Sequence, residues 1–176
     1  MPRPKVLSHV VFRTSRLDEM VEWYLAITHS RVAFRSPKAC FMTFDTEHHR
    51  FGFLAEPNLA EQSEKAAGLS HVALRFETLN EVLEAYAELR DHHVVPSWCT
   101  NHGPSLSFYY RDPDRNQVEL LYDTLPDEEA VRRFVQSEAF QKNPVGLSFD
   151  PEQLLRCAKA GVPLSRLTAY EPLPTI

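Results

Sequence analysis

The chain has 176 residues, of which 43% are hydrophobic and 24% charged, and its formal net charge is −5 at pH 7. These values are typical of one globular domain with at most an appendage, and a chain of this size buries a substantial core without disulfides. The acidic balance and the scattered Lys and Arg residues argue against a nucleic-acid partner, and no apolar run approaches the roughly 20 residues that span a membrane.

Cysteine usage points to a reducing compartment. The three cysteines, Cys40, Cys99 and Cys157, are an odd number and are widely spaced. They therefore provide neither a disulfide framework nor a thiolate metal site. The N-terminal residues lead directly into a strand-like pattern, which argues against a signal peptide. We expect a soluble protein of the cytoplasm.

The first part of the chain predicts one helix among four strands. Residues 5–13 are rich in β-branched and apolar residues, which predicts a largely buried strand. Residues 16–27 place apolar side chains at helical spacing and acidic side chains in the first turn, which predicts a helix. The polar stretch 56–68 predicts a linker. Strand-like runs lie between the helix and this linker at 31–35, 40–46 and 50–55.

The same order of elements begins again after the linker. Residues 68–76 predict a strand, and residues 77–93 predict a helix in which Thr78 and Glu81 have the spacing of a capping box. Further strand-like runs follow at 94–98, 106–112 and 117–123. Each of the two modules is therefore predicted to have the order β-α-β-β-β.

The pattern changes after the second module. Residues 127–142 predict one helix, and residues 150–161 predict another. The residues that favour the ends of this last helix are Asp150 as N-cap, Pro151 at the first helical position and Gly161 as C-cap. We expect residues 124–176 to form a C-terminal helical extension that packs on the modules or on another subunit.

The two modules also share sequence. A shift of 62 residues aligns residues 7–24 with residues 69–86 and gives nine identities in eighteen positions, among them His9 with His71. Repeated modules usually pack around a pseudo-twofold axis, so equivalent residues of their first strands can face one cavity. Two equivalent imidazoles are therefore candidate metal ligands, and a copied core histidine is the alternative.

The fold class predicted from this pattern is α+β. Two tandem βαβββ modules, at about residues 5–55 and 68–123, would form one domain of residues 1–123, followed by the helical extension. The repeat carries this prediction, because an internal repeat determines which fold a chain can adopt.

A carboxylate completes the candidate site. Glu119 lies in an apolar strand-like run that follows the tight turn RDPDRN. A buried carboxylate is unfavourable unless it is paired or binds a metal, although a solvent-facing edge position or a salt bridge to arginine would also satisfy it. Together with His9 and His71, Glu119 would form a two-histidine, one-carboxylate set. Such a set leaves coordination positions open on a non-haem Fe(II).

This combination resembles the vicinal oxygen chelate superfamily, and within it the type I extradiol ring-cleaving dioxygenases. The resemblance rests on the two modules, on the histidine of each first strand and on RDPDRNQVEL, and it covers about residues 5–123. It implies that His9, His71 and Glu119 bind Fe(II), or alternatively Mn(II). The substrates implied are a catechol-type aromatic diol and O2. Members of this size often associate, so we expect a homo-oligomer, a dimer or larger.

The resemblance also implies three residues around the metal. Tyr109 lies ten residues before Glu119, and His102 lies seven residues before Tyr109. His49, with His48 as the alternative, opens the last strand of the first module. The histidine of the first module would stabilise and protonate the oxygen, and Tyr109 and His102 would hydrogen-bond the substrate. Each of these residues could instead be an ordinary surface, loop or strand residue.

The same superfamily contains alternatives to the dioxygenase function. A metal-dependent lyase, isomerase or hydrolase is one alternative, and a small-molecule binding or resistance protein is another. Glyoxalase I takes a further glutamate ligand from the last strand of the first module, but a shift of 67 residues places Gly52 opposite Glu119. The family's turn usually has a glycine where this chain has Arg115, and a positive φ there would destabilise the turn by about 1 kcal/mol.

Overall fold

The computed structural model describes residues 1–63 and 65–175, and they form two compact units. Unit 1 comprises residues 1–68 together with 112–116, and unit 2 comprises residues 69–111 together with 117–176. Each unit contains one β-sheet, and each sheet belongs to one β-α-β-β-β module. The predicted α+β class, with two such modules and C-terminal helices, is confirmed. No helix in the described part of the chain has the length and apolar character needed to cross a membrane.

Unit 1 is a four-stranded sheet with one helix. Its elements are β1 (Val10–Thr14), α1 (Leu17–Thr28), β2 (Arg31–Ser36), β3 (Ala39–Thr43) and β4 (Phe51–Ala55). The strand order is β1-β4-β3-β2, in which β1 and β4 are parallel and the other pairs antiparallel. Helix α1 packs on the sheet through Tyr24, whose ring centroid lies 4.9 Å from those of Phe51 and Phe53.

Unit 2 repeats this topology and adds the C-terminal extension. Its module consists of β5 (His71–Phe76), α2 (Leu79–Asp91), β6 (Trp98–Asn101), β7 (Ser105–Arg111) and β8 (Gln117–Asp123). The extension consists of α3 (Glu128–Val135), α4 (Glu138–Lys142), β9 (Leu147–Ser148), α5 (Pro151–Lys159) and α6 (Leu164–Leu167). The strand order is β5-β8-β7-β6-β9, so the extension contributes the edge strand.

Strand pairing has the same register in both modules. Val11 pairs with Gly52 in the parallel ladder of unit 1, and Ala73 pairs with Glu119 in that of unit 2. Because Val11 and Ala73 are equivalent in the repeat, Gly52 occupies the position of Glu119. The alignment made from the sequence therefore agrees with the backbone.

The largest differences from the predicted elements concern two strands and one helix. Residues 5–9 are not part of β1, because the facing strand β4 begins only at Phe51 and offers them no partner. The strand predicted at 94–98 lies instead at Trp98–Asn101, since Pro96 has no N–H to donate to a ladder. The helix predicted at 127–142 is interrupted, because the Ser137 side chain accepts from the backbone N–H of Phe140 and starts α4 anew.

The caps of the other helices agree with the sequence. Thr78 and Glu81 form the predicted capping box of α2, with both reciprocal hydrogen bonds present. Asp150 caps α5 by accepting from the N–H of Glu152. Gly161 follows the C-cap residue Ala160 rather than being it, and its φ of +77° is the left-handed conformation that glycine adopts there. The sequence did not indicate β9 or α6.

Candidate functional site

Three histidines meet at one edge of the sheet in unit 1. His9 directly precedes β1, and His49 lies two residues before β4. Because β1 and β4 are parallel neighbours, the residues that precede them lie at the same edge of the sheet. The His9 and His49 rings stack with centroids 4.3 Å apart, and the His48 ring meets His49 edge-on at 4.4 Å. One ligand nitrogen from each histidine lies within 4.8 Å of the other two.

Arg50 fixes the backbone that leads into His9. Its guanidinium donates to the carbonyl of Leu7 at 2.9 Å and to that of Ser8 at 3.1 Å. It also donates to the Asp45 carboxylate at 2.8 and 3.0 Å. These hydrogen bonds from Arg50 lower the pKa of Asp45 to about 2, so the ion pair persists at neutral pH. Although His9 is exposed and lies outside the strand, its position is therefore defined.

His49 lies in a more apolar environment than His48. Its ring is half-buried and its centroid is 4.9 Å from that of Phe41, whereas His48 is exposed. Burial lowers the pKa of His49, and the neighbouring His9 and His48 lower it further. The neutral imidazole is favoured, and this is the form that binds metals or accepts a proton.

The sheet of unit 1 has Gly52 at the position equivalent to Glu119, and neighbouring side chains pack closely around it. A Cβ at Gly52 would lie 3.1 Å from Cγ2 of Val11 and 3.2 Å from Cδ1 of Phe41. A larger side chain at residue 52 would therefore require these neighbours to move. The first module thus has a glycine with closely packed neighbours at the position from which glyoxalase I would take its further glutamate ligand.

In unit 2, a histidine and a carboxylate are paired. Nε2 of His71 lies 3.1 Å from Oε2 of Glu119, which is only 4% exposed. The small residue Ala73 lies opposite Glu119 in the ladder. Two donors in neighbouring positions on one ion, with bonds of about 2.1 Å, lie about 3 Å apart. The separation and the imidazole–carboxylate chemistry of this pair both fit a divalent transition metal.

Tyr109 and His102 lie beside this pair. Tyr109 faces Glu119 across the antiparallel ladder of β7 and β8, and its hydroxyl lies 2.9 Å from Nε2 of His102. Burial raises the pKa of Tyr109, and the negative charge of Glu119 and their hydrogen bond raise it further, so the phenol remains protonated at neutral pH. An ionised carboxylate can only accept, so the hydroxyl donates to Glu119 and accepts from Nε2–H of His102.

Trp98, to which the sequence assigned no role, packs against both Tyr109 and His102. Its ring stacks on that of Tyr109 at 5.0 Å and 16°, and meets His102 edge-on at 5.8 Å. The stacking follows from the hairpin, because Trp98 pairs with Tyr109 between β6 and β7. The sequence did not predict this pairing, because the strand was predicted to end at Trp98 rather than to begin there.

The sequence-derived site residues thus fall into two groups. Unit 1 brings together His9 and His49, with His48 alongside, and unit 2 brings together His71, His102, Tyr109 and Glu119. A groove of about 1030 Å³ in unit 1 lies at the opposite ends of β1 and β4, near Thr14 and Ala55, and includes none of these residues.

Similarity to known proteins extends over most of this chain. Residues 6–120 match the family model of the Glyoxalase/Bleomycin resistance protein/Dioxygenase superfamily. Two proteins of Rhodococcus globerulus, Biphenyl-2,3-diol 1,2-dioxygenase 3 and Biphenyl-2,3-diol 1,2-dioxygenase 2, are 38% and 37% identical to this chain over 164 residues. The alignments cover 92% and 93% of this chain and 86% of each relative.

Solved structures share the fold at low identity. A lactoylglutathione lyase from Agrobacterium tumefaciens has a TM-score of 0.55 and is 18% identical, with 69% of this chain and 96% of that chain covered. A fosfomycin resistance protein from Listeria monocytogenes has a TM-score of 0.54 and is 19% identical, with 70% and 97% covered. At these identities the likeness establishes the fold alone.

Proposed function

Since this chain belongs to the Glyoxalase/Bleomycin resistance protein/Dioxygenase superfamily, as its sequence predicts, we propose that it is an extradiol dioxygenase that opens a catechol-type aromatic ring with O2. The observation that carries the proposal is the cluster in unit 2. A buried carboxylate pairs with His71, and Tyr109 and His102 lie hydrogen-bonded beside it. The identity to two diol dioxygenases over most of both chains supports the same activity.

We propose His71, Glu119 and His9 as the ligands of a catalytic metal. The metal is Fe(II), with Mn(II) as the alternative, because both accept two imidazoles and one carboxylate. When bound, the metal supplies Lewis acidity and one-electron chemistry, together with open positions for two vicinal oxygens. The burial of Glu119 supports its assignment, since an isolated carboxylate 4% exposed would be strongly disfavoured without a cationic partner.

Tyr109 and His102 are proposed to bind the diol and to move its protons. Because the pKa of Tyr109 is raised, the hydroxyl keeps its proton and can donate a hydrogen bond to a substrate oxygen. His102 lies 2.9 Å from the same hydroxyl. Once the hydroxyl donates to the diol instead of to Glu119, His102 can receive a proton through Tyr109 in the tautomer whose Nε2 carries no hydrogen. The Trp98 ring stacks on one face of the Tyr109 ring.

His49 is proposed to return a proton on the oxygen side. Its lowered pKa favours the neutral ring, and a protonated ring with a lowered pKa is the stronger acid. His49 is preferred to His48 for this role because it is half-buried and stacks on both His9 and Phe41.

The test is a ring-cleavage assay with protein purified and reconstituted without air. Biphenyl-2,3-diol, the compound named for the relatives, and unsubstituted catechol are each added to the Fe(II)-loaded or Mn(II)-loaded protein before O2. We expect one O2 consumed per diol and a yellow ring-opened product. Bound metal without O2 uptake on either diol would refute the dioxygenase and favour a non-oxidative enzyme.

A matched variant separates metal binding from folding. Glu119→Gln keeps the volume of the side chain but removes the charge that faces His71. We expect it to lose stoichiometric iron, measured by elemental analysis, while its far-UV circular dichroism remains that of the wild type. If Glu119→Gln retained full iron content, Glu119 would not be a ligand.

A further inference from the structure

The loop between β6 and β7 carries His102, and three of the contacts that the C-terminal extension makes with this loop and its flanking strand bear on the His102–Tyr109 pair. We propose that the extension positions the His102–Tyr109 pair, through Phe134 and Ser148 of the extension and through Asn101 of β6, which the extension holds. The inference rests on the proposed function. It gives a role to residues 124–176, which lie wholly beyond the part that matches the family model.

The first contact runs through the sheet edge. Strand β9 pairs with β6, so that Ser148 faces Thr100. The Ser148 hydroxyl accepts a hydrogen bond from Nε1 of Trp98 at 3.0 Å. Trp98 in turn stacks on the ring of Tyr109 at 5.0 Å. The extension therefore sets the plane of the indole, and the indole sets the plane of the phenol.

The second contact runs through a buried amide next to His102. Asn101 is 4% exposed, and its Oδ1 accepts from the backbone N–H of Gly103 at 2.8 Å. Its Nδ2 donates to the carbonyl of Ala169 in the extension, also at 2.8 Å. The two residues that flank His102 are thus tied to each other and to the extension. A buried amide satisfied on both sides has one defined orientation.

The third contact is a phenyl ring placed on the loop. Gly103 has φ of +94°, and a Cβ there would lie 2.0 Å from Cε1 of Phe134. Only glycine allows the Phe134 ring to approach the backbone so closely. On its other sides, Phe134 meets Phe140 edge-on at 5.7 Å and Tyr170 edge-on at 5.1 Å. The ring is therefore held against the loop by other residues of the extension.

These contacts matter because the His102–Tyr109 hydrogen bond depends on loop position. His102 lies on a loop, and loops are generally more mobile than the strands they connect. A displacement of about 1 Å would lengthen the 2.9 Å bond beyond hydrogen-bonding distance. Displacements of this size at a proton-transfer group can lower a rate by about 100-fold.

The test compares two loosened anchors with one that does not touch the loop. Phe134→Ala removes the ring above Gly103, and Ser148→Ala removes the acceptor of Trp98. The control, Glu152→Gln, weakens a different anchor of the extension, where Glu152 accepts from Tyr86 at 2.6 Å and pairs with Arg90 at 2.7 Å. All three are made in the full chain, loaded with Fe(II), and assayed on biphenyl-2,3-diol.

We expect Phe134→Ala to lower kcat by about tenfold or more, with KM within about twofold and iron content unchanged. Ser148→Ala should lower kcat less, and Ser148→Thr should restore it because it keeps the hydroxyl. The Glu152→Gln control should leave kcat unchanged. Equal losses in Phe134→Ala and Glu152→Gln would refute the inference, since both would then act only through stability.

A double-mutant cycle tests whether the effect passes through His102. His102→Gln alone should lower kcat by about 100-fold. In that background Phe134→Ala should have no further effect, because the group that it positions is already gone. Additive losses would assign Phe134 to some other part of the protein and overturn the proposal.

Amide hydrogen exchange tests the inference without activity. In the described structure the N–H of His102 bonds to the carbonyl of Ser105, and that of Gly103 bonds to Asn101. Exchange of both amides should rise about tenfold in Phe134→Ala and remain unchanged in Glu152→Gln. If the wild type is inactive but exchange rises only in Phe134→Ala, the proposed function alone is refuted. If the wild type is active but exchange does not rise in Phe134→Ala, the positioning role alone is refuted.

Discussion

Asp112, in the turn that belongs to unit 1, should make the stability of that unit depend on pH. Its carboxylate is 4% exposed and accepts from the hydroxyl of Tyr24 at 3.2 Å and from Asn116 at 2.7 and 2.8 Å. Burial nevertheless raises its pKa from 3.8 to about 6 in the folded protein, more than these hydrogen bonds lower it. The folded protein therefore binds the proton more tightly than the unfolded chain does.

The sign and size of the effect follow from linkage. An acid whose pKa is raised on folding stabilises the fold when protonated, and this stabilisation is lost as the pH rises from about 4 to 6. A shift of about two pKa units corresponds to about 3 kcal/mol. Asp112→Asn resembles the protonated acid at every pH. We expect it to match the wild type near pH 4 and to exceed it in free energy of unfolding by about 3 kcal/mol at pH 7.

The assay follows unit 1 alone. The chain has two tryptophans, so a Trp98→Phe background leaves Trp23 of α1 as the fluorescent reporter. In that background, the metal-free protein is unfolded in urea with and without Asp112→Asn, between pH 4 and about 7.5. The two curves give the difference in free energy of unfolding at each pH, and the titration of groups common to both proteins cancels in this difference. A difference that stayed constant over this range would refute the argument that the charged form of Asp112 is disfavoured.

Three further outcomes are expected. Tyr109→Phe should lower kcat by about 100-fold with iron content unchanged in elemental analysis, because it removes a proton donor and no ligand; a loss of iron would contradict this. Arg115→Gly should raise the free energy of unfolding by up to about 1 kcal/mol in urea titrations, since Arg115 has φ of +69°, and a loss of stability would mean that its side chain matters more than its backbone. Asp45→Asn should speed the removal of iron by a chelator at neutral pH, because Arg50 loses the carboxylate that orients it toward the carbonyls before His9; an unchanged rate would contradict this. In the metal-free wild type, the stabilisation from the ionised Asp45 is present above pH 3.8 and lost toward pH 2, so the free energies of unfolding of the two proteins should converge in acid.

Sequence was sufficient wherever local chemistry determined the backbone. The repeat placed both modules, the apolar run at 117–123 coincides with β8, and the capping box of Thr78 and Glu81 forms as expected. The register of the parallel ladders, with Gly52 in the place of Glu119, also followed from the aligned repeat. These features depend on residues close in sequence or on copies of one pattern.

What could not be predicted depends on partners distant in the chain. β1 starts at Val10 because of where β4 starts, and no property of residues 5–9 indicates that limit. The role of Arg50 depends on a guanidinium that reaches carbonyls 42 and 43 residues earlier. The position of Phe134 on Gly103 depends on the fold of an extension that lies outside the repeat.

The filled position at Gly52 has an evolutionary consequence. If both modules descend from one half that carried a donor here, Val11 and Phe41 now pack closely beside the position where the first module has no donor. A carboxylate at residue 52 would require Val11 and Phe41 to move by a few tenths of an ångström, since a Cβ there would lie 3.1 and 3.2 Å from them. A return of this sheet to a four-donor centre would therefore require local repacking as well as the substitution itself.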